Sequence, residues 1–235
     1  FGLYDNCVAG LLERVTDHIH SKPVYLPRQR FWTIRAKHII LSTGAFERHI
    51  AFNNNDIPGV MNANAGKHYL NRYGVLSGQN ITLATNNDSI YDTAIELSKA
   101  GSNVNIIDSR PSVGNEITEK LNKNNIELIL GRVPYNINGK TSVHNIELKN
   151  SNIENSNHNH QIKSDLVLLS GGWSPVVHLL SHRGVRPKWN DENLCFIPSE
   201  IKESITVAGS ASGIWKTEDC VASGLAAGLS AAKSL

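Results

Sequence analysis

The spacing of apolar residues along this chain switches between two periods, and the switches mark out its elements. The run His38-Ile39-Ile40-Leu41-Ser42, rich in β-branched residues and bounded by Gly44, predicts a short strand buried on both faces. Ser204-Ile205-Thr206-Val207-Ala208-Gly209 repeats that shape near the other end of the chain. Glycine at each exit permits positive φ and close backbone approach. In open α/β folds, dinucleotides bind at the carboxyl ends of parallel strands that end in such turns. The two stretches are expected to serve one site.

Between them the pattern is that of a βαβ unit. Asn80 to Ala84 reads as a strand, Asp88 to Ala100 as a helix stopped by Gly101, and Val104 to Ile107 as a second strand. A helix over about Gly114 to Asn122, a strand from Ile126 to Leu130, and a ribbon from Arg132 to Ile137 and Ser142 to Leu148 follow, with the ribbon turning at Asn138-Gly139. Upstream, Cys7 to Val15 and Phe31 to Ala36 predict strands that form a small antiparallel meander with the strand from Lys37. Asn62 or Asn64 is placed to cap a helix that runs to Tyr73 and closes at Gly74. After a polar stretch from Asn150 to Gln161 come a strongly apolar strand over Asp165 to Ser170 and a short helix near Val176 to Ser181. A final helix runs from about Thr217 to Ser234.

The fold class implied is α/β, in which a larger domain of residues 1–78 and 162–235 is interrupted by a smaller one of residues 79–161. A chain of 235 residues has room for two cores, since domains cluster near about 100 to 150 residues. Its 23 basic and 21 acidic residues nearly cancel and form no basic stripe, which argues against nucleic acid or an anionic membrane as partner. Cys7, Cys195 and Cys220 are scattered without a C-x-x-C pair, pointing to a reducing, cytoplasmic setting. No apolar run reaches the roughly 18 residues of a membrane span.

Taken together, a strand ending in Ser-Thr-Gly, an inserted βαβ domain and a return strand ending in glycine resemble the two-dinucleotide-binding-domain flavoprotein fold, with its Rossmann-like FAD/NAD(P)-binding domains. Within that fold the chain resembles more closely the α subunits of heterotetrameric sarcosine oxidases. That resemblance rests on STGAFERHIAFNNNDIPGVM with HYLNRYGV, TNNDSIYDTAIEL, SGGWSPVVHL and VAGSASG. Subunits of opine oxidase, hydrogen cyanide synthase and dye-linked proline dehydrogenase look similar through Gly44-Ala45 and Glu47-Arg48.

The resemblance implies a fragment whose G-x-G-x-x-G unit precedes Phe1 and whose folate-binding region follows Leu235. It further implies NAD in the larger domain, FAD and FMN elsewhere in the complete complex, and tetrahydrofolate as co-substrate. The partners implied are β, γ and δ subunits. An alternative within the same resemblance is a structural scaffold whose dinucleotide is never reduced.

Candidate contacts for the dinucleotide are Thr43, Gly44 and Ala45 at the first glycine turn and Gly209, Ser210, Trp215 and Thr217 at the second. The first turn serves equally as a tight strand exit. Ser210 stands where many flavoproteins have an Asp that meets a ribityl hydroxyl, a departure that agrees with an NAD site. Trp215 and Thr217 approach the first turn of the last helix, whose N-terminus favours phosphate. In the inserted domain Thr85-Asn86-Asn87-Asp88-Ser89 occupies the place of a glycine-rich turn, and its side chains leave no room for a pyrophosphate. Asp108, at the end of the next strand, would fit a ribose-binding acid, but with no glycines in the turn it is read as a solvated strand terminus, and the insertion is expected to bind no nicotinamide cofactor usefully. His158 and His160 make a poor metal site without further ligands, and no catalytic set of side chains can be assembled.

Overall fold

The computed structural model describes residues 2–152, 160–201 and 204–234. The chain divides into two compact units, one of Phe1–Phe46 with Trp173–Leu235 and the other of Glu47–Gly172.

The chain enters the first unit through strands β1 (Gly2–Tyr4), β2 (Val8–Arg14) and β3 (Gln29–Arg35), an antiparallel sheet in that order. The sequence places the strand from Lys37 in this meander. It lies instead as β4 (Ile39–Leu41) in a parallel pair with a strand from the far end of the chain, and β1 takes its place. Strand β5 (Ala45–Glu47) then leads into the second unit.

There β6 (Val60–Asn62) feeds helix α1 (Ala63–Tyr73), which ends at Gly74 in the left-handed region with φ of 64°. Next come β7 (Asn80–Thr85), α2 (Tyr91–Lys99), β8 (Asn103–Asp108), α3 (Asn115–Lys123) and β9 (Glu127–Leu130). A second sheet is built from β10 (Arg132–Gly139), β11 (Val143–Asn150) and β12 (His160–Lys163), all antiparallel. Its hairpin does not turn at Asn138-Gly139. Both residues stay in β10, paired with Asn145 and Val143 across a bulge, and Lys140 to Ser142 make the connection.

Strand β13 (Leu166–Ser170) completes the unit by inserting between β6 and β7, giving a parallel sheet ordered β6-β13-β7-β8-β9. All five residues of β13 are buried. Leu166 and Leu168 face the layer of α1, α2 and α3, where Tyr91, Leu97 and Leu121 pack, while Val167 and Leu169 face Ile137, Ile146 and Leu148 of the second sheet. A parallel sheet needs both faces covered. The helices cover one and the antiparallel sheet the other. Because β6, α1 and β13 belong to this core, the inner unit is wider than the span 79–161 suggested by the βαβ pattern.

The chain returns to the first unit through β14 (Trp173–Pro175), paired with β5, and α4 (His178–Ser181). A hairpin of β15 (Lys188–Asn190) and β16 (Cys195–Ile197) follows, then β17 (Ile205–Val207) beside β4, and α5 (Thr217–Lys233). Leu3, Cys7, Leu41, Leu180 and Ile205 form this unit's core. Among the described residues no helix is long and apolar enough to cross a membrane.

Leu168 is fully buried in the central strand, so Leu168→Ala opens a cavity where neighbours on three elements cannot collapse. Urea denaturation should show a loss of about 2–5 kcal/mol. A loss below about 1 kcal/mol would mean that β13 is not the packed centre described.

Candidate functional site

The register of the parallel pair sets Ile205, Thr206 and Val207 against Ile39, Ile40 and Leu41, and the Ala208 N–H donates to the Leu41 carbonyl at 2.9 Å. Both strands therefore end at the same edge, from which the chain continues into Thr43-Gly44-Ala45 after one and Gly209-Ser210 after the other. The Thr43 hydroxyl donates to the Val176 carbonyl at 2.8 Å, and the Val176 N–H donates to the Gly44 carbonyl at 2.9 Å. Gly44 has φ of +78° and a side chain added there would meet nothing within 4 Å, so the space beside this turn is open. Ala45 starts β5.

Gly209, with φ of +68°, opens a 3-10 turn over Gly209–Ser212, and its N–H donates to the Ser223 hydroxyl of α5 at 3.3 Å. Trp215 donates its indole N–H to Asn193 Oδ1 at 3.0 Å, and Asn193 Nδ2 donates to the Gly213 carbonyl at 3.1 Å. Thr217 is the first residue of α5, and Lys216 holds the capping position without a side-chain hydrogen bond. Glu218 and Asp219 occupy the first turn. A phosphate at this helix N-terminus would meet two carboxylates, contrary to the attraction that the terminus alone suggests.

In the inner unit the corresponding edge is crowded. Asn87 Oδ1 accepts from the Ser89 N–H at 3.1 Å and from the Ser89 hydroxyl at 2.6 Å, while its amide nitrogen donates to the Ser170 carbonyl at 3.1 Å. Asp108 is not solvated: it is 0% exposed. The Tyr91 hydroxyl donates to Asp108 Oδ2 at 2.6 Å, and the Arg110 N–H, Nε and Nη2 donate to the same carboxylate at 2.9, 3.1 and 2.8 Å. The remaining guanidinium nitrogen, Nη1, pairs with Asp88 Oδ1 at 2.7 Å. Sequence reading missed this cluster because Asp88 and Asp108 meet only through Arg110. Burial, with the Asp108 carboxylate beside it, pushes the Tyr91 phenol well above its ordinary range. The hydrogen bond to Asp108 holds the Arg110 guanidinium even more firmly protonated than usual.

Glu47 was also missed as a functional group of the fold. Its Oε2 accepts the Asn64 N–H at 2.8 Å, so this carboxylate, rather than an asparagine side chain, caps α1. Asn62 instead donates its side-chain amide to the Glu47 carbonyl at 3.1 Å. Burial raises the Glu47 carboxyl above the ordinary glutamate range, against the pull of the Asn64 N–H and Ser170. Among the described residues no group of three metal-ligating side chains forms. His158 lies outside the described residues, and His160 begins β12.

Residues 27–209 match the family model described as pyridine nucleotide-disulphide oxidoreductase. The chain is 36% identical over 227 residues to sarcosine oxidase subunit alpha of Rhizobium meliloti (strain 1021), covering 96% of this chain and 22% of that protein. It is 32% identical over 230 residues to sarcosine oxidase subunit alpha of Corynebacterium sp. (strain U-96), covering 96% of this chain and 24% of that one. It therefore spans less than a quarter of the length of either. The crystal structure of Lactococcus lactis thioredoxin reductase superposes with a TM-score of 0.65 at 19% identity, over 95% of this chain and 72% of that one, a likeness of fold.

Two predictions follow the carboxylates. Arg110→Met strands a buried charge and should cost about 3–5 kcal/mol in urea denaturation. Asp88→Asn, at a side chain 65% exposed, should cost less than about 1 kcal/mol. Equal losses would contradict the burial of Asp108. For Glu47 the folded carboxyl titrates above the unfolded one, so its contribution is fully present below the unfolded value of about 4.3 and is lost as pH rises through the folded value. The stability of Glu47→Gln relative to the parent should be constant at acid pH and grow over that interval. A difference that shrinks with rising pH would overturn the assignment.

Proposed function

Because the chain belongs to the pyridine nucleotide-disulphide oxidoreductase family, we propose that it is the dinucleotide-holding part of the α subunit of a heteromeric sarcosine oxidase. The observation that supports this best is the 36% identity to a sarcosine oxidase α subunit over 96% of the chain. The whole enzyme would oxidise the N-methyl group of sarcosine. Sarcosine, oxygen and water give glycine, formaldehyde and hydrogen peroxide, or tetrahydrofolate in place of water takes up the one-carbon unit as methylenetetrahydrofolate. Flavin, as FAD and FMN in the complete assembly, would supply the two-electron chemistry. The partners would be the β, γ and δ subunits.

This chain's own residues would bind and orient. In the unit of Phe1–Phe46 with Trp173–Leu235, the backbone at Thr43, Gly44, Ala45 and Gly209 and the hydroxyl of Ser210 would form one edge of an NAD cradle. The open space at Gly44 and the left-handed backbone of both glycines fit a ligand lying against the main chain. Trp215 and Thr217 would serve ribose or base rather than phosphate, because Glu218 and Asp219 stand next to them. The rest of the cradle would come from further chain. In support, β4 and β17 form a two-stranded pair among the described residues, and α5 leaves Val221, Leu225 and Leu229 exposed along one face. Parallel sheets are seldom so small or so uncovered. The three free cysteines fit a cytoplasmic setting.

The test uses the purified native complex. Anaerobic sarcosine should bleach the flavin absorbance without raising the near-ultraviolet band of NADH, and native mass spectrometry should find smaller partner subunits. A full-length chain active alone on sarcosine would refute the heteromeric reading, and an NADH band would refute a dinucleotide that only holds structure.

A further inference from the structure

We propose that in the unit Glu47–Gly172 the guanidinium of Arg110 permanently fills the place where a dinucleotide's adenosine ribose would lie, clamping the nucleotide edge shut. In βαβ nucleotide folds the pyrophosphate rests on the turn after the first strand, and an acid about 20 residues further on accepts the ribose hydroxyl. Here the turn after β7 is Asn86 to Asp88, and the acid at the end of β8 is Asp108. The residues do not fit the ligand. Asp108 is fully buried and already accepts from the Tyr91 hydroxyl and from three nitrogens of Arg110, leaving no oxygen turned toward a ribose. Arg110 Nη1 reaches across to Asp88 on the turn itself, so one guanidinium ties the end of β8 to the start of α2. Asn87 folds its side chain over the remaining space, accepting from the Ser89 N–H that would otherwise point to a phosphate, and donating to the Ser170 carbonyl of β13.

The chemistry of the cluster explains why the clamp holds. A buried carboxylate must keep a cation, and displacing Arg110 with an uncharged ribose would leave Asp108 unpaired. A pyrophosphate brings further negative charge beside Asp88. Such a unit keeps the architecture of a nucleotide domain with an internal ion pair in the ligand's position. Its stability then owes nothing to a bound nucleotide. This inference does not depend on whether the other unit holds NAD.

Hydrogen–deuterium exchange read peptide by peptide on the full-length chain tests it, with NAD, NADH and NADPH each added at millimolar concentration. No dinucleotide should slow exchange over residues 86–91 or 108–112, and Asp88→Asn should speed exchange over 86–91 measurably, by up to about fivefold. Protection of those peptides by any of the three, or an Asp88→Asn chain that exchanges there like the parent, would overturn the proposal. Protection confined to residues 43–45 and 209–217 supports both the closed edge here and the cradle in the other unit. Protection nowhere supports the closed edge while removing the cradle.

Discussion

The inner unit depends on one late strand that is buried on both sides. Strand β13 carries residues to both cores, Leu166 and Leu168 to the helical face and Val167 and Leu169 to the face of the second sheet. Its entry is fixed by Asp165, whose carboxylate accepts the N–H groups of Gln79 and Asn80 at 3.0 Å as β7 begins. Its exit is fixed by Ser170, whose carbonyl accepts from Thr85 and Asn87. A strand so placed joins residues more than eighty positions apart, and until it arrives β6 has no partner in this sheet and β7 has one on a single edge, among the described residues. The spacing between α1 and the sheet leaves little freedom for anything larger at this contact. Gly66 shows this, since a side chain there would come within 2.8 Å of Leu168 Cδ1.

Two carboxylates in this unit solve the cost of burial in different ways. Asp108 gives up all its exposure and gathers an arginine, a tyrosine hydroxyl and a backbone N–H. Glu47 keeps part of its exposure and relies on backbone N–H at the start of α1, where the helix dipole favours negative charge. The first arrangement closes the carboxyl edge of the sheet. The second holds the start of a helix whose far end is fixed by the left-handed Gly74.

The two units thus present opposite versions of the same strand-end geometry. Where β4 and β17 end, glycines with positive φ leave main chain exposed and open space beside Gly44. Where β7 and β8 end, asparagine, aspartate and arginine side chains fill the equivalent space. The difference is one of side chains, since glycines stand at one edge and an internal ion pair at the other.

Much of this protein was legible in the sequence because its signals are local. The helix stops at Gly74 and Gly101, the alternation of β7, α2 and β8, and the paired glycine exits all follow from residues within a few positions of one another. Asparagines in place of glycines in the turn after β7 are likewise a local signal, and the structure shows the Asn87 side chain bonded to Ser89 and Ser170 there. What depended on distance in the chain was not legible. The apolar run Ile39-Ile40-Leu41 fits an antiparallel meander as well as a parallel pair, and only the arrival of Ile205-Thr206-Val207 decides between them. Asp108 reads as an exposed strand end until Arg110 folds back and Tyr91 covers it. Glu47 stands out in the sequence only as part of the Glu47-Arg48 pair until the Asn64 N–H of α1 meets it. Periodicity records which face of an element is buried, but the partner of a buried charge is chosen by three-dimensional proximity, and that was settled only when the sheet closed.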